Sequence, residues 1–337
     1  VLTIRASACF LVLIFASGAC VSFQDPDAVK PPTISQDMPL EQAFQHAIDF
    51  GGPTLEEVKS HVKARQAWPA LNQLSAQYIQ QNLGQVPPAK ILHAIHLYRL
   101  SAPQIQPRIL EALMATEEPV YRKMAWQLAA IKPSADVARY LDDKLSQLVV
   151  AGRQDEHLIP EMARAVRANE IKSVYSLLRR GLMTNGSDEF AKAMIALKAD
   201  DQLADDLMNY LAQANLEDLR QINQSSVNMY TCLVILRYFM GNPLPVTNPN
   251  IGHVYLYAIS RNPALAEMAR DVLDQQIANY KEQMVYALSQ QPMKVQMAFV
   301  EGTRHYPSAN VKLMLAGLRK MTAYEEVEQE IESLRRF

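Results

Sequence analysis

Glycine is scarce in this chain, 11 in 337 residues. That leaves too few permissive joints for a doubly wound sheet with phosphate loops or for a run of tight hairpins. Cysteine is scarcer still. Of three, Cys9 and Cys20 fall within the first 20 residues, so the remainder holds only Cys232. One thiol makes no internal disulfide, and its place in the apolar run from Met229 to Leu236 reads as core packing. Charge of one sign is also missing. Thirty-three Lys and Arg against 35 Asp and Glu give a net charge of −2, which supplies no electrostatic reason to expect nucleic acid as a partner. No Gly-x-Ser-x-Gly elbow, Walker loop or dinucleotide fingerprint occurs. The sequence therefore nominates no catalytic residue and no cofactor, and the expectation is a protein that is not an enzyme.

What is present begins with the apolar stretch from Ala8 to Ala16, behind a lone Arg5. It is far shorter than the roughly 20 residues a helix needs to cross a bilayer, and reads as an export-signal core. The stretch ends in Ser17-Gly18-Ala19-Cys20. This box resembles that of bacterial lipoprotein signals, which run Leu, a small residue, Gly or Ala, then Cys; Ser17 stands where Leu is usual. The resemblance implies that 1–19 is a signal peptide removed before Cys20, and that Cys20 then carries the family's covalent lipid, palmitate included. Three acyl chains anchor far more firmly than one. Val21, not Asp, follows the cysteine, and the family's sorting pattern then implies the periplasmic face of the outer membrane. The alternative is an ordinary secretory signal cut at Ala16 or Gly18, leaving Cys20 free.

Residues 20–38 are polar and carry Pro26, Pro31 and Pro32. They read as a tether, reaching about 25 Å as a flexible coil and about 55 Å in polyproline form. From Pro39 the apolar spacing is helical. Leu71, Leu74 and Tyr78 mark one face, Val137, Leu141, Leu145 and Leu148 another, and Leu203, Leu207 and Leu211 a third. Start signals stand at Pro53-Thr54, Pro133-Ser134 and Ser187-Asp188. The pattern predicts roughly sixteen to eighteen helices of about 10–17 residues, an all-α chain.

Tyr121-Arg122-Lys123-Met124-Ala125-Trp126-Gln127-Leu128, behind Pro119, resembles the second helix of a HEAT repeat. Leu265, Ala269 and Val272 behind Pro263, and Val311, Leu315 and Leu318 behind Pro307, partly repeat it. The second and third lie 46 residues apart, within the roughly 40–47 of HEAT and armadillo units; the first and second lie 144 apart, about three such units. The resemblance implies an α-solenoid. The Pro- and Asn-rich segment from Gly241 to Gly252 interrupts it, and predicts a subdomain boundary between a body of 39–240 and a HEAT-like unit of 253–337. Ahead of it, Val227 to Met240 reads as a buried central helix. Glu332 is placed to pair with Arg336 on a closing helix.

Candidate chemistry is thin. His93 and His96 lie one helical turn apart without the Glu of a zinc-protease motif or a Cys pair, and read as helix-surface residues. Asp200, Asp201, Asp205 and Asp206 lack the spacing of a calcium loop and read as a solvated turn and first helical turn. Gly181-Leu182-Met183-Thr184 is similar to a motif of lytic transglycosylases. Thr184 replaces its Gln, however, and no Glu-Ser pair lies upstream; Glu161 and Glu170 are the carboxylates to test. A partner surface has more support. Asn242, Pro243, Pro245, Asn248 and Pro249 in the long loop, with Tyr238, Tyr255 and Tyr257 beside it, are the candidate contacts. The sequence thus points to a lipid-anchored periplasmic scaffold, bound to other envelope proteins in an assembly such as the outer-membrane core complex of a secretion system. The alternative is an enzyme acting on peptidoglycan, or a regulator of one.

Overall fold

Short helices need inexpensive starts, and proline and polar caps supply them here. The computed structural model describes residues 33–197, 201–214, 227–245, 248, 250, 252–305 and 308–334. Among these residues there are seventeen α-helices and no strand. They run α1 Leu40–Phe50, α2 Pro53–Arg65, α3 Trp68–Asn82, α4 Pro88–Ser101, α5 Pro107–Met114, α6 Pro119–Ile131, α7 Ala135–Val150, α8 Pro160–Ala168 and α9 Tyr175–Asn185. They continue α10 Asp188–Leu197, α11 Asp201–Leu211, α12 Met229–Gly241, α13 Gly252–Tyr257, α14 Pro263–Ser289, α15 Met293–Gly302, α16 Ala309–Met321 and α17 Glu325–Leu334.

Proline occupies the first turn of seven of them. Its missing N–H would have no intrahelical partner there anyway, and its fixed φ is already helical. Ser134, Asn228, Asn262 and Ser308 cap four helices by accepting from backbone N–H groups two or three residues on. Each such cap stabilises its helix by about 1 kcal/mol. The starts expected at Pro53, Ser134 and Asp188 stand where the sequence placed them. The predicted faces are also core faces: Val137, Leu141, Leu145, Leu148, Leu203, Leu207 and Leu211 are all buried.

The chain folds back repeatedly, and its helices stack in two rows. From α6 onward the even-numbered helices α6, α8, α10, α12, α14 and α16 lie side by side, each packed on the next. The odd-numbered helices form the second row with looser mutual contact, and α1 to α4 pack together at the N-terminal end. The helix starts along the even row, at residues 119, 160, 188, 229, 263 and 309, give steps that range from 28 to 46 residues. The 144 residues from Tyr121 to Leu265 therefore span four steps, where the sequence reading counted three.

Side chains that reach back to earlier backbone lock one turn of the array to the next. His93 Nδ1 lies 2.9 Å from the Ile48 carbonyl, Asn169 donates to Ala129 at 3.0 Å, and Thr231 donates to Gly186 at 2.6 Å. Tyr257 donates to Leu211, Gln276 to Phe239 and Asn310 to Asp274, each at 3.1 Å. These links span 36 to 46 residues. All but the last meet a carbonyl in the closing turn of a helix or just beyond it, where no intrahelical partner exists.

No packing break occurs at the long loop: α12 packs on α14 across it, and the buried Gln276 side chain bonds to Phe239, Asn242 and Leu244 backbone groups. The tether ends before residue 38, because Glu57 accepts from the Ile34 N–H at 3.0 Å and Arg65 bonds the Gln36 carbonyl. Glu332 meets Arg319 of α16, and Arg336 lies outside the described residues, as do the signal segment, Cys20 and the remainder of the tether. No described helix is long and apolar enough to cross a membrane.

Candidate functional site

The even row carries a groove with both apolar and charged lining. A groove of about 890 Å³ crosses α8, α10, α12 and α14. Its apolar lining comes from Ile195 and Ala196 of α10, from Leu233 and Val234 of α12, and from Met268 of α14. Helix α12 supplies the centre because it is apolar on two sides. Cys232, Ile235, Leu236 and Phe239 face the core and are fully buried, whereas Leu233, Val234 and Tyr238 are half-buried and Tyr230 is 65% exposed. The expected buried central helix is thus buried on one face only. Solvent-facing Tyr230 in particular leaves most of a large aromatic surface uncovered.

Charge in the groove is segregated. On the α8 and α10 side, Arg164 and Arg167 each lie 3.4 Å from the Glu189 carboxylate, and Lys192 lies 2.7 Å from Asp188 and 3.3 Å from Glu189. The hydrogen bond to Asp188 is the main cause that holds the Lys192 ammonium above its ordinary range. Glu189 is 8% exposed, and its Oε2 has the two guanidinium groups nearby but no aligned hydrogen bond. Arg237 of α12 is exposed and has no ion-pair partner among the described residues. On the far side Glu267 and Asp271 stand one turn apart on α14, exposed and unpaired among the described residues. Three cations against two anions make the α8 and α10 side net positive, and the α14 side is negative.

The residues nominated from sequence fall differently. Tyr238 lines the groove. Tyr255 and Tyr257 are fully buried and so are not contact residues. The Tyr255 hydroxyl donates to the Met284 carbonyl at 3.0 Å and its ring meets Phe299 edge-on at 4.9 Å, while Tyr257 donates to Leu211. In the loop, Pro243 is exposed and Pro245 half-buried, but Asn242 donates to the Tyr238 carbonyl at 2.9 Å. Asn248 is buried and donates to Asp205 at 2.7 Å. Their amides serve to hold the loop down, so these described polar side chains are spent internally. Pro249 lies outside the described residues.

Other candidates resolve into packing. Gly181 of the transglycosylase-like segment is a close-approach site: an added Cβ would sit 2.1 Å from the Phe190 ring of α10. Thr184 donates to the Arg180 carbonyl of its own helix. Glu161 is buried beside Lys123 at 3.2 Å, and Glu170 is exposed with a left-handed φ of 54°. His93 is bonded to Ile48, and burial, then Arg99, pushes the His96 imidazole below its ordinary range. Asp206 is ion-paired to Arg179 at 2.8 Å, and Asp200 lies outside the described residues. Among the described residues no group of three His, Cys, Asp or Glu is placed to hold a metal ion. Cys232 is buried against the Tyr257 hydroxyl at 3.4 Å, and burial pushes its thiol up to about 12.

Arg167, Lys192, Arg237, Glu267 and Asp271 were missed by the sequence reading. One signal was there: the α12 stretch carries apolar residues on both faces, which a helix covered on one side does not need. Comparison with known proteins finds no matching family model, no matching curated protein and no matching solved structure.

Proposed function

We propose that this protein is an interaction scaffold, held by lipid on Cys20 at the periplasmic face of the outer membrane and built into a multiprotein envelope assembly. The outer-membrane core complex of a secretion system is an assembly of this type. The observation that carries the scaffold reading is the groove around α12. Its exposed Tyr230, apolar floor and flanking charges have the anatomy of an interface, with an aromatic anchor inside a polar rim. A stacked helical array is suited to presenting such a continuous surface. The lipid and the tether support placement: the box at Ser17-Gly18-Ala19-Cys20 supplies the anchor, and the polar residues after it let the body stand off the membrane. The protein itself needs no cofactor for this role.

Two measurements test it. Palmitate labelling is expected for the wild type and is lost in Cys20→Ser; label that persists in the variant removes the anchor from the account. Co-purification of envelope proteins after mild crosslinking is expected to drop at least tenfold in Tyr230→Glu. This change alters an exposed side chain, so the fold is retained, and undiminished recovery overturns the groove as the working surface.

A further inference from the structure

Resting on the reading of this face as a protein-binding surface, we infer that the groove receives an amphipathic helix of a partner protein whose ends carry opposite charge. The backbone argues for a helix. The groove walls are themselves α-helices, with their N–H and C=O groups bonded internally, so they offer no free edge on which an extended peptide can satisfy its own backbone. A helix brings its hydrogen bonds with it and needs only an apolar stripe, which Ile195, Leu233, Val234 and Met268 match.

Charge fixes the rest of the pattern. Lys192 on α10 and Asp271 on α14 are separated by two helix spacings, about 16–20 Å at the usual 8–10 Å between packed axes. Eleven residues of helix rise about 16 Å and return to the same face after three turns. The occupant therefore carries an acidic residue at position i, facing Arg167 and Lys192, and a basic residue at i+11, facing Glu267 and Asp271. Apolar residues at i+4 and i+7 lie between them. A partner with like charges at both ends meets repulsion whichever way it lies.

The test uses three side-chain-stapled, fluorescent 18-residue peptides that share one apolar stripe, because an unstapled helix of this length is marginal in water. Their ends are Glu and Lys, Glu and Glu, or Lys and Lys. Binding to the detergent-solubilised full chain is read by fluorescence anisotropy. The Glu/Lys peptide is expected to bind at least about tenfold more tightly than either other, with the gap narrowing as salt rises. The double variant Glu267→Lys with Asp271→Lys, both exposed positions, is expected to transfer the preference to the Glu/Glu peptide. Failure of all three to bind, equal binding, or a preference the double variant leaves in place overturns the inference. If that failure occurs while envelope proteins still co-purify in a Tyr230-dependent way, the helix assignment alone is lost and the scaffold reading stands. Sedimentation in parallel closes the remaining case: a dimer dissociated by Tyr230→Glu would give the groove to a second copy of this chain and overturn the inference.

Discussion

Gln276→Leu probes the continuity of the array across its long loop. Gln276 is 3% exposed on α14, and its amide donates to Phe239 at 3.1 Å and to Asn242 at 3.2 Å while accepting from the Leu244 N–H at 3.2 Å. Leucine nearly preserves the volume, so the change removes three hydrogen bonds without opening a large cavity. Each bond contributes about 1 kcal/mol net, and a buried group left unpaired costs about 1–3 kcal/mol. Phe239 and Asn242 lie at a helix end and loop where water can take over in part, which lowers the total. The expected loss is about 2–4 kcal/mol, read as a lower urea midpoint by circular dichroism with unchanged slope. Gln275→Leu, one residue away and exposed, is the control and is expected to stay within about 0.5 kcal/mol. Hydrogen exchange adds the direction: amides at 239–245 lose protection before those of α8 and α10. Equal midpoints for the two variants would refute the view that the loop is fastened to the array.

Gly181→Ala places a methyl 2.1 Å from the Phe190 ring; the overpacking cost of about 1–3 kcal/mol outweighs the helix-propensity gain of about 1 kcal/mol. Thermal melting should show a lower Tm that adding Phe190→Leu partly restores, and a Tm at or above wild type for the single variant would contradict the close packing. His157 is held neutral down to about 4 by burial, against an ordinary 6.5. The unfolded chain then binds the extra proton first, so stability is full above about pH 6.5 and falls as pH drops toward 4, by up to about 3 kcal/mol. His157→Gln is expected to flatten that limb of a Tm-against-pH curve; an unchanged slope would remove His157 as its source. Cys232, with its thiol pushed up to about 12, should be silent to a disulfide-exchange reagent in folded Cys20→Ser protein and react fully in denaturant. Reaction before unfolding would contradict its burial.

The helices were legible because local physics sets them. Prolines in first turns, Ser134 as a cap, and Val137, Leu141, Leu145 and Leu148 on one face act within a few residues of chain and leave a direct trace. The order of stacking was less legible. The links between turns of the array use His93, Asn169, Thr231, Tyr257, Gln276 and Asn310, six side chains of five types doing one geometric job, so they leave no repeated residue to align. Steps of 28 to 46 residues blur the period further.

The site was the least legible part. Tyr255 and Tyr257 looked like interface aromatics because they follow an irregular segment, yet the chain turns them inward, each with a buried backbone carbonyl for its hydroxyl. The groove residues come from four helices spread between Arg167 and Asp271. Only the stacking brings them together, and an individual Lys or Asp on a helix face carries no mark of what lies opposite.

The most direct measurement is photo-crosslinking in living cells with benzoylphenylalanine at Tyr230 in the groove, set against Val150, which is 90% exposed at the end of α7 in the other row. The account predicts a discrete adduct with one envelope protein from position 230, lost when Glu267→Lys and Asp271→Lys are added, and none from position 150. The same adduct from both positions, or adducts from 150 alone, would contradict it.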